Sequence, residues 1–288
     1  MTKTQNIFTV DLEEWFVVEA LAGRHALDDW PSLPSRVINN SLRLLEMLKR
    51  HNVRATWFVL GWCAERYPDL IQEIFAAGHE IGCHSYHHRR VDSLRPDQFK
   101  KDTERAVNAI LGATGALPYG YRAPSWSING DNTWAFETLA EMGFLYDSSV
   151  FPIKHDLYGW PDGPRQPFKL DFGNGHQLYE LPATTYRLLG KNIPVAGGGY
   201  FRHSPYWYSR KVIQSLNDAG HPVVFYIHPW EIDPDIPRME HLSAIQRFRT
   251  YSSTSILRYK IERLLSDFSF TTAADYLKLF RKKRIGFE

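Results

Sequence analysis

The run Gly82-Cys83-His84-Ser85-Tyr86-His87-His88 sets two imidazoles four residues apart, at His84 and His88. One helical turn after a strand would bring both to the same side, and imidazole is the commonest protein ligand for zinc and similar ions. Two imidazoles need an anionic third ligand for a catalytic site, and Thr9-Val10-Asp11-Leu12-Glu13-Glu14-Trp15 offers one. Carboxylates crowded at a strand end repel one another unless a cation or a proton relieves them. Asp11 and Glu13 stand two apart on an extended segment and share a face. Glu13 can therefore complete a two-histidine, one-carboxylate set while Asp11 stays free as a base. Glu14 competes with Glu13 for the ligand role, and His87 faces elsewhere. The blander alternatives are hydrogen-bonded loop histidines and a helix N-terminus decorated with acids.

These side chains need strands to hold them. Ile7 to Val10 is a β-branched run ending at Asp11. Pro34 and Ser35 open a helical stretch with Val37, Ile38, Leu42, Leu45 and Leu48 on one side. Ala55 to Leu60 predicts a strand, Pro68 to Gly78 a short helix, His79 to Cys83 a strand, and Pro96 to Leu111 an amphipathic helix stopped by Gly112. Tyr119 to Arg122, Thr133 to Met142 and Phe144 to Asp147 continue the alternation. A Pro/Gly-rich passage from Phe151 to Gly175 follows, then a strand at Tyr179 to Leu181, a helix at Pro205 to Ala219 and an apolar strand at Pro222 to Ile227. Leu242 to Phe280 reads as mostly helical, and Arg281-Lys282-Lys283-Arg284 as a solvated helix end. Strand–helix alternation implies a parallel sheet or barrel, and chemistry in such folds gathers at the carboxyl ends of the strands. Asp11, Glu13, His84, Arg122, Asp147 and His228 all lie there.

The 288-residue composition narrows the classes. With 34 Lys+Arg against 32 Asp+Glu the formal charge is +2, which argues against nucleic acid as a partner. Apolar residues at 43% and charged residues at 23% are ordinary globular values and exclude a disordered chain. Cys63 and Cys83 make no disulfide framework, which favours a reduced compartment. No stretch reaches the ~20 apolar residues of a transmembrane segment, and no signal peptide is visible, so a cytoplasmic location is expected. Gly197-Gly198-Gly199-Tyr200 lacks the Lys-Ser/Thr of a phosphate loop, so no nucleotide is expected. It can let backbone approach a ligand closely. The 12 His, 15 Tyr, 17 Phe and 9 Trp point to a site rich in imidazole and aromatic rings.

The motifs together resemble the polysaccharide deacetylase family with the NodB-homology domain, carbohydrate esterase family 4, and within it the branch tied to exopolysaccharide loci of exosortase/PEP-CTERM systems. Asp11-Leu12-Glu13 resembles the family's first motif in its D-x-D/E variant, and His84-Ser85-Tyr86-His87-His88 its H-S/T-x-x-H motif. Tyr121-Arg122-Ala123-Pro124-Ser125-Trp126 resembles the R-x-P motif, and Phe225-Tyr226-Ile227-His228-Pro229-Trp230-Glu231 the last motif, which supplies the acid histidine. The match spans roughly residues 6 to 235 as a catalytic domain, with a mostly helical extension over 236–288 packed on it. The resemblance implies an α/β fold, a distorted (β/α) barrel with fewer than eight units. It implies one divalent metal ion, zinc for preference, on Glu13, His84 and His88. It also implies Asp11 as base, Arg122 as the partner that aims Asp11, and His228 as acid.

The reaction implied is removal of N-acetyl groups from an N-acetylhexosamine-containing polysaccharide or its precursor. Sugar rings present apolar C–H faces, so exposed aromatics beside polar groups are expected around the site. Trp126, Trp160, Trp230 and Tyr200 are the candidates, with one or two of them serving as platforms. The family's fourth motif, an acid that supports the acid histidine, has no obvious counterpart. Asp147 and Glu180 are the candidates, and they are placed with the substrate-binding residues. Two rivals remain: an allantoinase-like hydrolase of cyclic amides or ureides on the same fold, and a catalytically inactive saccharide-binding module. The sequence leaves the oligomeric state open.

Overall fold

The computed structural model of the chain describes residues 4–18, 21, 24–173 and 175–278; the basic run at 281–284 lies outside them. In chain order the strands are β1 (Asn6–Leu12), β2 (Thr56–Val59), β3 (Glu80–Cys83), β4 (Gly120–Tyr121), β5 (Tyr146–Asp147), β6 (Phe168–Asp171), β7 (Gln177–Glu180), β8 (Thr185–Leu188), β9 (Lys191–Pro194), β10 (Val224–Ile227) and β11 (Phe270–Thr271). The helices are α1 (Val37–Arg50), α2 (Gly61–Arg66), α3 (Pro68–Ala76), α4 (Pro96–Thr114), α5 (Trp134–Glu141), α6 (Gly198–His203), α7 (Tyr206–Asp218), α8 (Ala244–Tyr251), α9 (Thr254–Asp267) and α10 (Ala273–Tyr276). Among the described residues no helix is long and apolar enough to cross a membrane.

The main sheet runs β10-β1-β2-β3-β4-β5-β7-β6, with β11 also on β1, and every pairing is parallel except the β6–β7 hairpin. The path curls without closing, giving a half-barrel rather than a complete one. β1 is the hub. Its Ile7–Val10 pair with β10 and its Thr9–Leu12 with β2, while Asn6 and Ile7 take β11 on the edge that β2 leaves open. Crossover helices cover the outer face, where Leu12, Val59, Cys83 and Tyr121 join the main hydrophobic core. The inner face is narrow. A Cβ on Gly120 would stand 2.0 Å from the Tyr146 ring, which crosses over that glycine to reach Glu80.

Four local expectations differ from the structure. α4 runs through Gly112, where a Cβ would meet nothing, and ends at Gly115, whose φ of 72° makes the left-handed cap. The Pro/Gly-rich passage contains β6, and a second two-stranded ribbon, β8–β9, follows β7. β6 does alternate, with Phe168 and Leu170 half-buried against exposed Lys169 and Asp171, but over four residues only, and β8 and β9 are largely solvent-facing. Gly198 and Gly199 open α6 rather than a loop, and Gly197, with φ 126°, bridges to Tyr226. The segment after residue 235 supplies, besides helices, the strand β11.

Candidate active site

One register row crosses the sheet at its carboxyl end: Leu12, Val59, Cys83, Tyr121, Asp147 and Glu180 are successive partners. Side chains alternate along a strand, so residues one position off this row face the interior of the curl. Asp11, Glu13, His84, Arg122 and His228 all have that phase, and all but Arg122 line a single cleft of about 1040 Å³.

His84 and His88 are not joined by a helical turn. Ser85 and His88 are left-handed, with φ of 59° and 56°, and the tight loop between them is pinned by Ser85 O to Gly61 N and by Tyr86 N to Asp102 Oδ2. His84 Nδ1 lies 2.8 Å from Arg122 O, which can only accept. The proton therefore sits on Nδ1, and Nε2 presents its lone pair to the cleft. Glu13 Oε2 is 2.8 Å from His88 Nε2 and 3.6 Å from His84 Nε2. It is buried and makes no hydrogen bond. Donor atoms of the three residues all lie within 4.8 Å of one another. Two imidazole nitrogens and a carboxylate oxygen converging on one point are a donor set that fits a divalent ion such as zinc, with positions left open. Burial alone would push the Glu13 carboxyl up, but His88 and His228 hold it well below the usual carboxylate range. Glu14 points away, accepting from Ser35 Oγ and Arg36 N at the entry to α1. His87 faces Asp102, outside the cleft.

Arg122 is fully buried between the rings of Phe58 and Trp126, at 4.2 and 4.7 Å. It donates to Asp11 Oδ1 at 2.6 Å, to Thr9 Oγ1 and to both Ser148 O and Ser148 Oγ. Such a clamp fixes the Asp11 carboxylate, whose other oxygen, Oδ2, lies 3.8 Å from His228 Nε2.

His228 follows β10 and lies against the Trp230 indole, with ring centroids 5.3 Å apart. Its Nδ1 meets Glu231 Oε2 at 2.9 Å, leaving Nε2 for the cleft. Burial lowers the affinity of this imidazole for a proton, but Glu13, Glu231 and Asp11 outweigh it and raise the pKa to about 9. Glu231 is the acidic support that the sequence left unassigned. A signal existed: an acid three residues after the cap of a Pro-initiated turn reaches back to the cap N–H, and Glu231 does so at 3.1 Å. Behind it stands Arg202, also buried, with Nη1 3.7 Å from Glu231 Oε1 and donating to Arg249 O at the end of α8. Nothing in the spacing of Arg202 announces this.

Asp147 and Glu180 are corrections. Both belong to the register row itself, so their side chains turn toward the helix layer; both are fully buried and neither lines the cleft. Asp147 accepts from Ser149 N and Oγ, and Glu180 from Val150 N. Trp126, Tyr200 and Trp230 do line the cleft, Tyr200 with its hydroxyl 3.1 Å from that of Tyr158. Trp160 does not, and packs beside Gly130.

Residues 27–144 match the polysaccharide deacetylase family model, and residues 148–278 match a domain of unknown function, DUF3473. A peptidoglycan deacetylase of Helicobacter pylori is 34% identical over 108 residues, which are 38% of this chain and 36% of that protein. The match thus spans about a third of that relative's length. A Mycobacterium smegmatis structure assigned as a polysaccharide deacetylase covers 99% of this chain and 92% of its own at 23% identity and TM-score 0.65. An allantoinase structure covers 94% and 88% at 18% identity and TM-score 0.60. Both share the curled sheet and, at such identity, speak for the fold alone. With the deacetylase match placed over the segment that holds His84, His88 and Arg122, residues 27–144 belong to the polysaccharide deacetylase family, the NodB-homology type.

Proposed function

We propose that the protein is a metal-dependent N-deacetylase acting on N-acetylhexosamine units of a glycan or glycan precursor. The observation that carries this reading is the grouping of Glu13, His84 and His88 beside a separate base–acid couple, Asp11 and His228. A divalent ion held by Glu13, His84 and His88 would supply Lewis acidity toward the acetyl carbonyl and the attacking water.

The chain's own groups handle the protons. Asp11, anchored through Oδ1 on Arg122, offers Oδ2 to take the proton of the water. His228 donates Nδ1–H to Glu231 and carries its second proton on Nε2 at neutral pH, since its pKa is raised to about 9. That proton goes to the departing amide nitrogen, which cannot leave as an anion. The 3.8 Å between Asp11 Oδ2 and His228 Nε2 allows the base and the acid to work at one reacting centre. Tyr200, half-buried at the cleft, gives the sugar ring an apolar surface to lie on. The shared fold of an allantoinase supports the rival reading, but a cleft of about 1040 Å³ lined with aromatic rings suits an extended saccharide better than a small ureide.

Acetate release from N-acetylglucosamine oligomers by metal-loaded protein, with allantoin as the comparison substrate, tests the reading. Acetate release that is lost on chelation and restored by zinc or another divalent ion is expected. Hydrolysis of allantoin alone, or of neither substrate at any metal load, would overturn it.

A further inference from the structure

The cleft that holds the candidate metal site is not polar throughout. Apart from the candidate metal ligands, the cleft is also lined by Ile245 and Phe248 of α8, by Ile193 and Pro194 of β9 and by Leu157. Ile245 is 64% exposed, and Phe248 is 57% exposed even though one ring face is stacked on His203. A hydroxyl-rich polymer gains little from branched aliphatic side chains, whereas a hydrocarbon chain gains from every methylene laid against them. Contiguous exposed apolar surface on a rim of this kind marks a contact that water is meant to leave.

The ribbon carries a second, independent observation. Its tip, Arg187-Leu188-Leu189-Gly190-Lys191, holds Leu189 94% exposed and Leu188 about half exposed between two exposed cations. Aliphatic side chains flanked by Arg and Lys suit a lipid–water boundary: the apolar groups enter and the cations stay with the headgroups.

We infer that the substrate is an amphipathic saccharide, a glycan that carries a hydrocarbon chain, with its sugar at the Glu13–His84–His88 end and its chain along the Ile245–Phe248 wall. This rests on the deacetylase reading and adds the substrate class to it. The hydrocarbon belongs to the anchor end of the glycan and not to the scissile acetyl group, because the apolar wall comes from elements other than those that hold the metal ligands.

Methyl, butyl and octyl β-glycosides of N-acetylglucosamine, kept below their micelle concentrations, test the assignment. Acetate release is measured with metal-loaded protein, and affinity by calorimetric titration of Asp11→Asn. Full burial of one methylene is worth about a fourfold gain in affinity. Even partial burial in an open groove should therefore make the octyl glycoside bind at least about tenfold tighter than the methyl glycoside. Phe248→Ser and Ile245→Ser, both at exposed positions, should bring that octyl-to-methyl ratio to about one. A flat chain-length series in the parent protein, or a ratio that survives in both variants, overturns the inference. If no glycoside releases acetate while affinity still climbs with chain length, the deacetylase reading fails and the amphipathic-ligand assignment stands. Acetate release with a flat series sinks the assignment alone.

Discussion

Two carboxyl pairs lie at the carboxyl end of the same sheet and behave in opposite ways. Asp11 at the end of β1 and Glu13 just beyond it face the cleft, Asp11 clamped by Arg122 and Glu13 surrounded by His84, His88 and His228. Asp147 on β5 and Glu180 on β7 are register partners that face the helix layer. Burial penalises the charged form in both places. At Glu13 the imidazoles more than compensate, and the carboxyl lies well below its usual range. At Glu180 burial and the neighbouring Asp147 push the other way, so it keeps its proton to higher pH than an ordinary carboxylic acid. A strand end does not make an acid functional. Its phase in the two-residue alternation decides whether it meets cations and a cleft or serines and backbone.

Substitutions at the two pairs should therefore give responses of different kinds, and the largest belongs to the metal ligands. Glu13→Gln or His84→Ala should lose stoichiometric metal and lower kcat/KM by about three orders of magnitude or more, with the fold retained. Elemental analysis showing full occupancy in either variant would break the comparison at its root. Next comes Asp11→Asn, which should keep the metal and lose about 10²- to 10⁴-fold in kcat. Loss of metal there, with retention in Glu13→Gln, would reverse the two roles.

A smaller effect is expected one contact further out. Wild-type turnover should fall on the alkaline side, where His228, whose proton Glu231 and Asp11 help to hold, is deprotonated. Glu231→Gln removes a carboxylate that favours the imidazolium, so the fall should move to lower pH, by roughly one unit, or tenfold in rate on that limb. A pH profile unchanged in this variant would detach Glu231 from the acid. The smallest catalytic effect belongs to Glu180→Gln, with kcat/KM within about threefold of the parent, because the side chain never reaches the cleft. Its signature lies in stability. A carboxyl whose folded pKa is raised contributes stability below its unfolded value, and that contribution is lost as pH rises toward the folded one. The amide carries no such loss, so melting curves of the variant should exceed the parent's increasingly toward alkaline pH. A variant that melts lower at every pH would mean that the pair is held by something other than a shared burial penalty.

The sequence made the first pair legible and misplaced the second for a physical reason. Asp11, Glu13, His84, Arg122 and His228 each occupy the position that turns inward at a strand's end, and motif spacing exposes that directly. Asp147 and Glu180 stand on strands of two and four residues, too short for alternation to reveal which way they point. The histidine pair was found with the wrong local geometry: two left-handed residues, Ser85 and His88, replace the expected helical turn. Arg202 was invisible because its partner Glu231 arrives from another element through packing alone. Fold class was legible from the order of strands and helices. The β8–β9 ribbon and β11 were not, since one is largely exposed and the other is two residues long.

The placement of β11 bears on how the protein comes off the ribosome. β1 carries Asp11 and leads directly into Glu13, yet its partners at Val224–Ile227 and Phe270–Thr271 follow it by more than 200 residues. Until they arrive, one edge of β1 and the start of the other have no ladder to join, and closing loops of that span is slow. A growing chain exposes an apolar strand followed by acids until those residues are made, so holdase chaperones have a long window in which to bind it. Asp11, Glu13 and His228 come together only when β10 docks beside β1.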